Sequence, residues 1–183
     1  MDLQTAAGIV PLLGWAVHGG ILTRRLATAR RDPLTGLHTR AGWTARTEHL
    51  IRRRPTAAVL LVDLDHFKTL NDTHGHAAGD AALIATADRL RTWCGHNGTA
   101  GRLGGDEFVA VVQELAAADL DALTAALHRP LLYAGMSLLL SASVGVCPIA
   151  DLPVRLLTNA LATADAAMYA AKGRGRRGSR SSR

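Results

Sequence analysis

Apolar residues run without interruption from Ala57 to Val62 before the chain meets Asp63 and Asp65. A run this short and this rich in strand formers predicts a central buried strand over Ala57 to Asp65, ending in two carboxylates. Spaced by two, those carboxylates project to one face of the strand. Further on, Leu83, Ile84, Ala87, Leu90 and Trp93 recur at helical spacing and predict a helix over residues 76 to 94. Upstream, Asp32-Pro33-Leu34-Thr35-Gly36 reads as a turn, and a helix is expected from about Thr39 to Arg53, closed by Pro55. Thr99 to Leu103 and Asp106 to Val112 are short runs flanking Gly104-Gly105, which is a β-hairpin signal. A helix from about Ala116 to Leu127, a strand through Leu138 to Val146 and a helix from about Pro153 to Lys172 complete the order.

Written out, the core is β-α-β-β-α-β. That order predicts an α+β, ferredoxin-like domain, an antiparallel sheet carrying its helices on one face. Its expected limits are residues 32–177, preceded by an apolar N-terminal helix with a basic flank in residues 1–31 and followed by a basic disordered tail in 178–183. No internal repeat is visible.

With 183 residues, 48% of them apolar, the chain has enough material for one core of ordinary size. Cys94 and Cys147 have no CxxC context and no histidine at ligand spacing, so neither a disulfide framework nor a zinc site is indicated. The net charge of +6 resides largely in Arg24, Arg25, Arg30, Arg31, the Arg52–Arg54 run and a Gly/Ser/Arg tail, a composition that stays solvated; no nucleic-acid partner is expected. Residues 6–22 lack a formal charge and are followed at once by arginines. This stretch reads either as a short anchor in the cell (inner) membrane or as a helix that pairs with a partner helix. If it spans, the arginines on its C-terminal side put the rest of the chain in the cytoplasm.

Asp63 and Asp65 alone would be compatible with two solvated acids at a strand end. The hairpin adds to them, because Gly104 and Gly105 remove side chains where something bulky must approach the backbone, and Asp106 and Glu107 follow. In this topology the first strand and the hairpin can be neighbours, so that Asp63 and Asp106 would converge on a hard cation such as Mg²⁺, with a nucleotide's phosphates completing its shell. Two such ions could serve one triphosphate.

Arg102-Leu103-Gly104-Gly105-Asp106-Glu107-Phe108 contains an unbroken GGDEF signature, and from Asp32 to about Arg177 the chain resembles GGDEF-domain diguanylate cyclases. Other marks of that family stand in register: Asp32-Pro33-Leu34-Thr35-Gly36-Leu37, Asp63-Leu64-Asp65-His66-Phe67-Lys68, Asn71-Asp72, Gly75-His76-Ala77-Ala78-Gly79-Asp80, Ser143-Val144-Gly145 and Ala164-Asp165-Ala166-Ala167-Met168-Tyr169. The resemblance implies the palm-type fold of nucleotide cyclases and polymerases. It also implies condensation of two GTP molecules into cyclic di-GMP, with two Mg²⁺ ions per GTP and Mn²⁺ as the alternative ion. By the same likeness, Asp63, the Leu64 carbonyl and Asp106 would hold the metal, Asp106 would accept the proton of the attacking hydroxyl, and Glu107 would support the site. Asn71 and Asp80 would read guanine, Gly104 and Gly105 would admit the substrate, and the His66 and Phe67 N–H groups would meet the phosphates beside Lys68, Lys172 and Arg176. Of 21 basic residues only Lys68 and Lys172 are lysines, and both fall at these phosphate positions.

Because the product is two-fold symmetric, each half-site must face another, and a homodimer with one GTP per subunit is expected. Many family members carry an RxxD product-inhibition site, whereas here the corresponding positions are Gly95, His96, Asn97 and Gly98, so no inhibition through that site is expected. The alternative to the enzyme is a catalytically silent GGDEF module that binds GTP and signals through a protein partner.

Overall fold

The computed structural model describes residues 30–178, with side chains through Lys172. The apolar stretch 6–22 and the tail beyond 178 lie outside the described residues, and among those described no helix is long and apolar enough to cross a membrane. Strands are β1 (His38–Thr39), β2 (Ala58–Leu64), β3 (Gly98–Gly104), β4 (Glu107–Val112), β5 (Leu131–Tyr133), β6 (Met136–Leu138) and β7 (Ala142–Pro148). The helices, numbered among the described residues, are α1 (Arg40–Arg53), α2 (Phe67–His74), α3 (His76–Cys94), α4 (Leu120–Leu127) and α5 (Leu157–Gly178).

The main sheet has the order β1-β3-β4-β2-β7, and β5-β6 forms a separate hairpin. The β3-β4-β2-β7 portion is antiparallel throughout and has the expected ferredoxin-like order. Strand β1 adds to β3 in parallel, which makes the whole sheet mixed. Helices cover both faces rather than the single face expected. The reason lies in β2: Ala58, Leu60, Val62 and Leu64 turn to one side, Val59 and Leu61 to the other, and all are buried. A strand apolar at both parities needs cover twice. The first set packs with Leu83, Ala87 and Leu90 of α3 and Leu123 and Leu127 of α4. The second packs with Trp43 and Ile51 of α1 and Leu157, Ala160, Ala164 and Met168 of α5.

Local chemistry sets the element ends. Thr39 caps α1, its hydroxyl accepting from the Gly42 N–H, and Asp119 caps α4 through the Ala122 N–H. That second cap corrects the helix expected from Ala116, because residues 115–117 form a separate 3₁₀ turn ahead of it. The strand expected over Leu138 to Val146 divides, with Leu138 ending the β5-β6 hairpin and β7 beginning at Ala142. The helix expected from Pro153 starts at Leu157, after a 3₁₀ turn at Ile149–Asp151. Trp43 is fully buried against β3, its indole N–H donating to the Thr99 carbonyl at 2.9 Å. A Cβ at Gly101 would lie 2.8 Å from the Trp43 Cβ, so only glycine fits beneath the ring. Both cysteines are buried and free, and burial pushes the Cys94 thiol up to about 12, which keeps it protonated and inert.

Candidate active site

The strands that carry the predicted carboxylates meet at one end of the sheet. Strand β2 finishes there, β4 begins there, and the Gly104-Gly105 turn between β3 and β4 closes it. The Leu64 N–H donates to the Asp106 carbonyl at 3.3 Å, tying the end of β2 to that turn and setting Asp63, Leu64 and Asp106 side by side. Asp63 pairs in register with Glu107 on one flank and Ser143 on the other, so these three side chains share a face.

Asp63 belongs to the parity that faces α5. Ala164, Met168 and Lys172 follow one another at intervals of four along that helix, and the Lys172 ammonium reaches Asp63 Oδ1 at 2.6 Å. Lys172 therefore meets a carboxylate of its own chain. Asp65 goes to other partners, accepting from the hydroxyls of Ser141 at 2.7 Å and Ser143 at 2.8 Å. Asp106 and Glu107 are half-buried, while Gly104 and Gly105 are exposed with φ of 146° and 53°, and the space where a Cβ would stand is open at both.

Helix α2 starts from His66, a non-glycine residue held at φ 58°. Its first helical bond runs from the Leu70 N–H to the His66 carbonyl, leaving the preceding N–H groups, Phe67 and Lys68 among them, ahead of the ladder. A left-handed residue feeding a helix N-terminus gathers N–H donors and partial positive charge suited to an anion. Lys68 is exposed on this first turn, and Phe67 is half-buried against the core. Asn71, one turn on, has its Oδ1 shielded from solvent without a hydrogen-bond partner. The Asn71 amide lies directly on Gly79 of α3, where any Cβ would collide with Oδ1 and crowd the Phe67 ring. Asp80, next in sequence, is exposed. Arg176 belongs to the helical span of α5, but its side chain lies outside the described residues.

Three features were not among the sequence-predicted site residues. Gly79 is one, although its place between Gly75 and Asp80 was in plain view. The second is the pair of serines that engages Asp65. The third is a bracket formed by Arg102, whose guanidinium donates twice to the Gly105 carbonyl, at 3.0 and 2.7 Å, and once to Asp32 at 3.1 Å. Asp32 also accepts from the N–H and hydroxyl of Thr35. Burial works to raise the Asp32 carboxyl, but Thr35 and Arg102 outweigh it and hold it below the ordinary carboxylate value. The opening turn of the domain thus supports the Gly-Gly turn from behind. The spacing of Asp32 and Thr35 hinted at a local turn; nothing local pointed to Arg102.

Among the described residues no three His, Cys, Asp or Glu side chains gather at one point. The donors here are two carboxylates and a main-chain carbonyl, all hard oxygens of the kind Mg²⁺ takes, with room left for ligand oxygens. The ammonium resting on Asp63 shows that this carboxylate occupies a place that accepts a cation. The residues fit a divalent ion.

The family described as "Diguanylate cyclase, GGDEF domain" matches residues 29–178. The chain belongs to the GGDEF family of diguanylate cyclases. It is 76% identical over 183 residues, the full length of both chains, to an uncharacterized 19.3 kDa protein of Streptomyces ambofaciens. To the diguanylate cyclase TpbB of Pseudomonas aeruginosa it is 39% identical over 165 residues, which cover 83% of this chain but only 37% of TpbB. In three dimensions this GGDEF domain is similar to a sensory box/GGDEF family protein from Caulobacter crescentus, with a TM-score of 0.73 and 39% identity, covering 79% of this chain and 99% of the other.

Proposed function

We propose that the chain condenses two GTP molecules into cyclic di-GMP and two pyrophosphates, as a homodimer with one GTP per subunit and with Mg²⁺ as the ion. The observation that carries this reading is the bond from the Leu64 N–H to the Asp106 carbonyl, which joins the strand bearing Asp63 to the Gly-Gly turn. In each half-reaction a 3′ oxygen forms a bond to the α-phosphorus of the facing GTP, the α–β anhydride bond breaks, and pyrophosphate leaves with that electron pair. The Asp106 carboxylate takes the hydroxyl proton. Asp63, the Leu64 carbonyl and Asp106 would hold the metal, and a divalent ion there would supply positive charge beside the α-phosphate and the departing group. Glu107, paired with Asp63 across the ladder, supports that set.

The guanine is read by Asn71 and Asp80. A carboxylate accepts from the base's N1 and N2 donors, and an amide can both donate and accept, which favours GTP over ATP. The N–H groups of His66 and Phe67 receive the phosphates, with Lys68, Lys172 and Arg176 around them. Gly104 and Gly105 let the nucleotide approach the backbone.

The test is GTP turnover by the purified chain with Mg²⁺ over a range of protein concentrations, resolved by chromatography, beside Asp106→Ala. Cyclic di-GMP should rise more steeply than protein concentration, and the variant should lose about a thousandfold or more of the rate. No product at any concentration, with GTP still bound, would favour the silent GTP-binding module. The same assay run with added cyclic di-GMP probes regulation. The turn from Gly95 to Gly98 offers no charged pair, and a Cβ at Gly98 would lie 2.8 Å from the Val111 carbonyl oxygen, so inhibition through this turn is not expected.

A further inference from the structure

The Lys172–Asp63 pair asks for an explanation that phosphate binding alone does not give. Its 2.6 Å contact is short, and its side chains are only 35% and 17% exposed. Asp63 sits beside Glu107 in the ladder and next to the Asp106 turn, so the strand end concentrates negative charge that is costly to hold without a compensating cation. Lys172 supplies one from a helix that cannot easily shift. Gly145 of β7 lets α5 come so close that any Cβ there would meet the Ala164 carbonyl and the Met168 N–H. The residue type matters too, because a compact ammonium on a flexible stem can leave one anion for another, whereas a planar guanidinium prefers a bidentate grip. This chain uses arginine for nearly all its other cations.

We propose that Lys172 is a resident counter-ion for Asp63 that yields its place only when metal and triphosphate arrive together. Resting on the cyclase reading above, the proposal adds an order of loading to it. A divalent ion entering alone must displace the ammonium and leave it without an anion. A triphosphate entering with the ion offers Lys172 a new partner, so the displacement costs far less. Metal and nucleotide therefore bind cooperatively, and by linkage each raises the other's affinity by the same factor. The free protein resists stray divalent ions and keeps its strand end neutralised.

The experiment compares the full chain with Lys172→Met, which retains the apolar stem and removes the charge. Mn²⁺ binding is followed by the electron paramagnetic resonance of the free ion, first without nucleotide and then with a non-hydrolysable GTP analogue. In the variant, Mn²⁺ alone should bind about tenfold tighter and Mn²⁺ with the analogue about tenfold weaker, so that the coupling factor falls about a hundredfold. Lys172→Arg should restore part of the competition against Mn²⁺ alone. A merely structural lysine would instead weaken both, and that result overturns the proposal. Equal Mn²⁺ affinity in the two proteins, with the analogue still bound, also overturns it while leaving the cyclase reading intact. Failure of the unmodified chain to bind Mn²⁺ with the analogue overturns both. Should Lys172→Met not fold, as judged by circular dichroism, Lys172→Gln serves the same comparison.

Discussion

At its Ala58 end, strand β2 is closed on every side. The Ile149 N–H donates to the Ala57 carbonyl at 2.9 Å, the Leu115 N–H to the Thr56 carbonyl at 2.9 Å, and the Thr56 hydroxyl to the Gln113 carbonyl at 3.0 Å. Nearby, the Gln113 N–H reaches the Asn97 carbonyl, so the neighbouring strand is sealed as well. At its Asp63 end the same strand opens onto two turns that hold His66, Gly104 and Gly105 at positive φ. There the Asn71 oxygen is buried without a partner, and a lysine covers a carboxylate. One end is tied to its loops by these bonds. The other holds His66 in the left-handed region, a buried Asn71 oxygen and a lysine-covered carboxylate, the features that mark it as the candidate site.

The largest effect belongs to the packed middle of the sheet. Trp43→Ala empties the space beside Gly101 and should cost about 3–5 kcal/mol of stability, read from urea unfolding. The nucleotide affinity of the molecules that remain folded should stay near that of the parent. A large loss of affinity in the folded fraction would mean that the two ends are not separable. The next effect belongs to the open side. Gly79→Ala drives a methyl into the Asn71 amide and should weaken GTP binding about tenfold, measured by fluorescence titration. Asn71→Ala should weaken it to a similar extent, and the double variant should be little worse than either, because both changes act through one amide.

A further effect, of similar size, probes the bracket behind the Gly-Gly turn. The Asp32 carboxyl titrates below its ordinary value in the fold, so the unfolded chain takes up that proton at a higher pH than the native one. The contribution is complete above the unfolded value of about 3.8 and is lost as the pH falls through the lowered native value. Asp32→Asn should cost about 1–2 kcal/mol near neutrality and flatten the acid limb of a stability-against-pH curve. An unchanged limb would show that Arg102 and Thr35 do not hold the charge.

Helix α3 was legible to the residue, because its apolar spacing is regular and Gly75 and Gly95 stand at its two ends. The core of β2 was equally plain. The β5-β6 hairpin was not, since Leu131 to Leu140 is a nearly continuous apolar run, which folds back on itself through Ala134 and Gly135 at positive φ. The two-sided cover of the sheet was implied by the unbroken apolar run of β2, but the ferredoxin-like order drew the expectation to one face. Within the site, the convergence of Asp63 with the Gly-Gly turn follows from the strand order, since β2 and β4 are neighbours and the Leu64 N–H meets the Asp106 carbonyl. The contacts between distant segments did not show. Arg102 lies 70 residues from Asp32 and Lys172 lies 109 from Asp63, separations at which no local pattern signals contact.

The sheet order also bears on the timing of biosynthesis. Strand β2 is made early, yet its two neighbours are β4 and β7, and Ala58 must wait for Val112 on one side and Pro148 on the other. Closing loops of that length is slow compared with zipping the β3-β4 hairpin. During translation the apolar strand at the centre of the domain therefore has one edge uncovered until β7 emerges. The cation for Asp63 comes later still, with α5, so a nascent chain lacks the Lys172–Asp63 pair until almost all of the domain has been made.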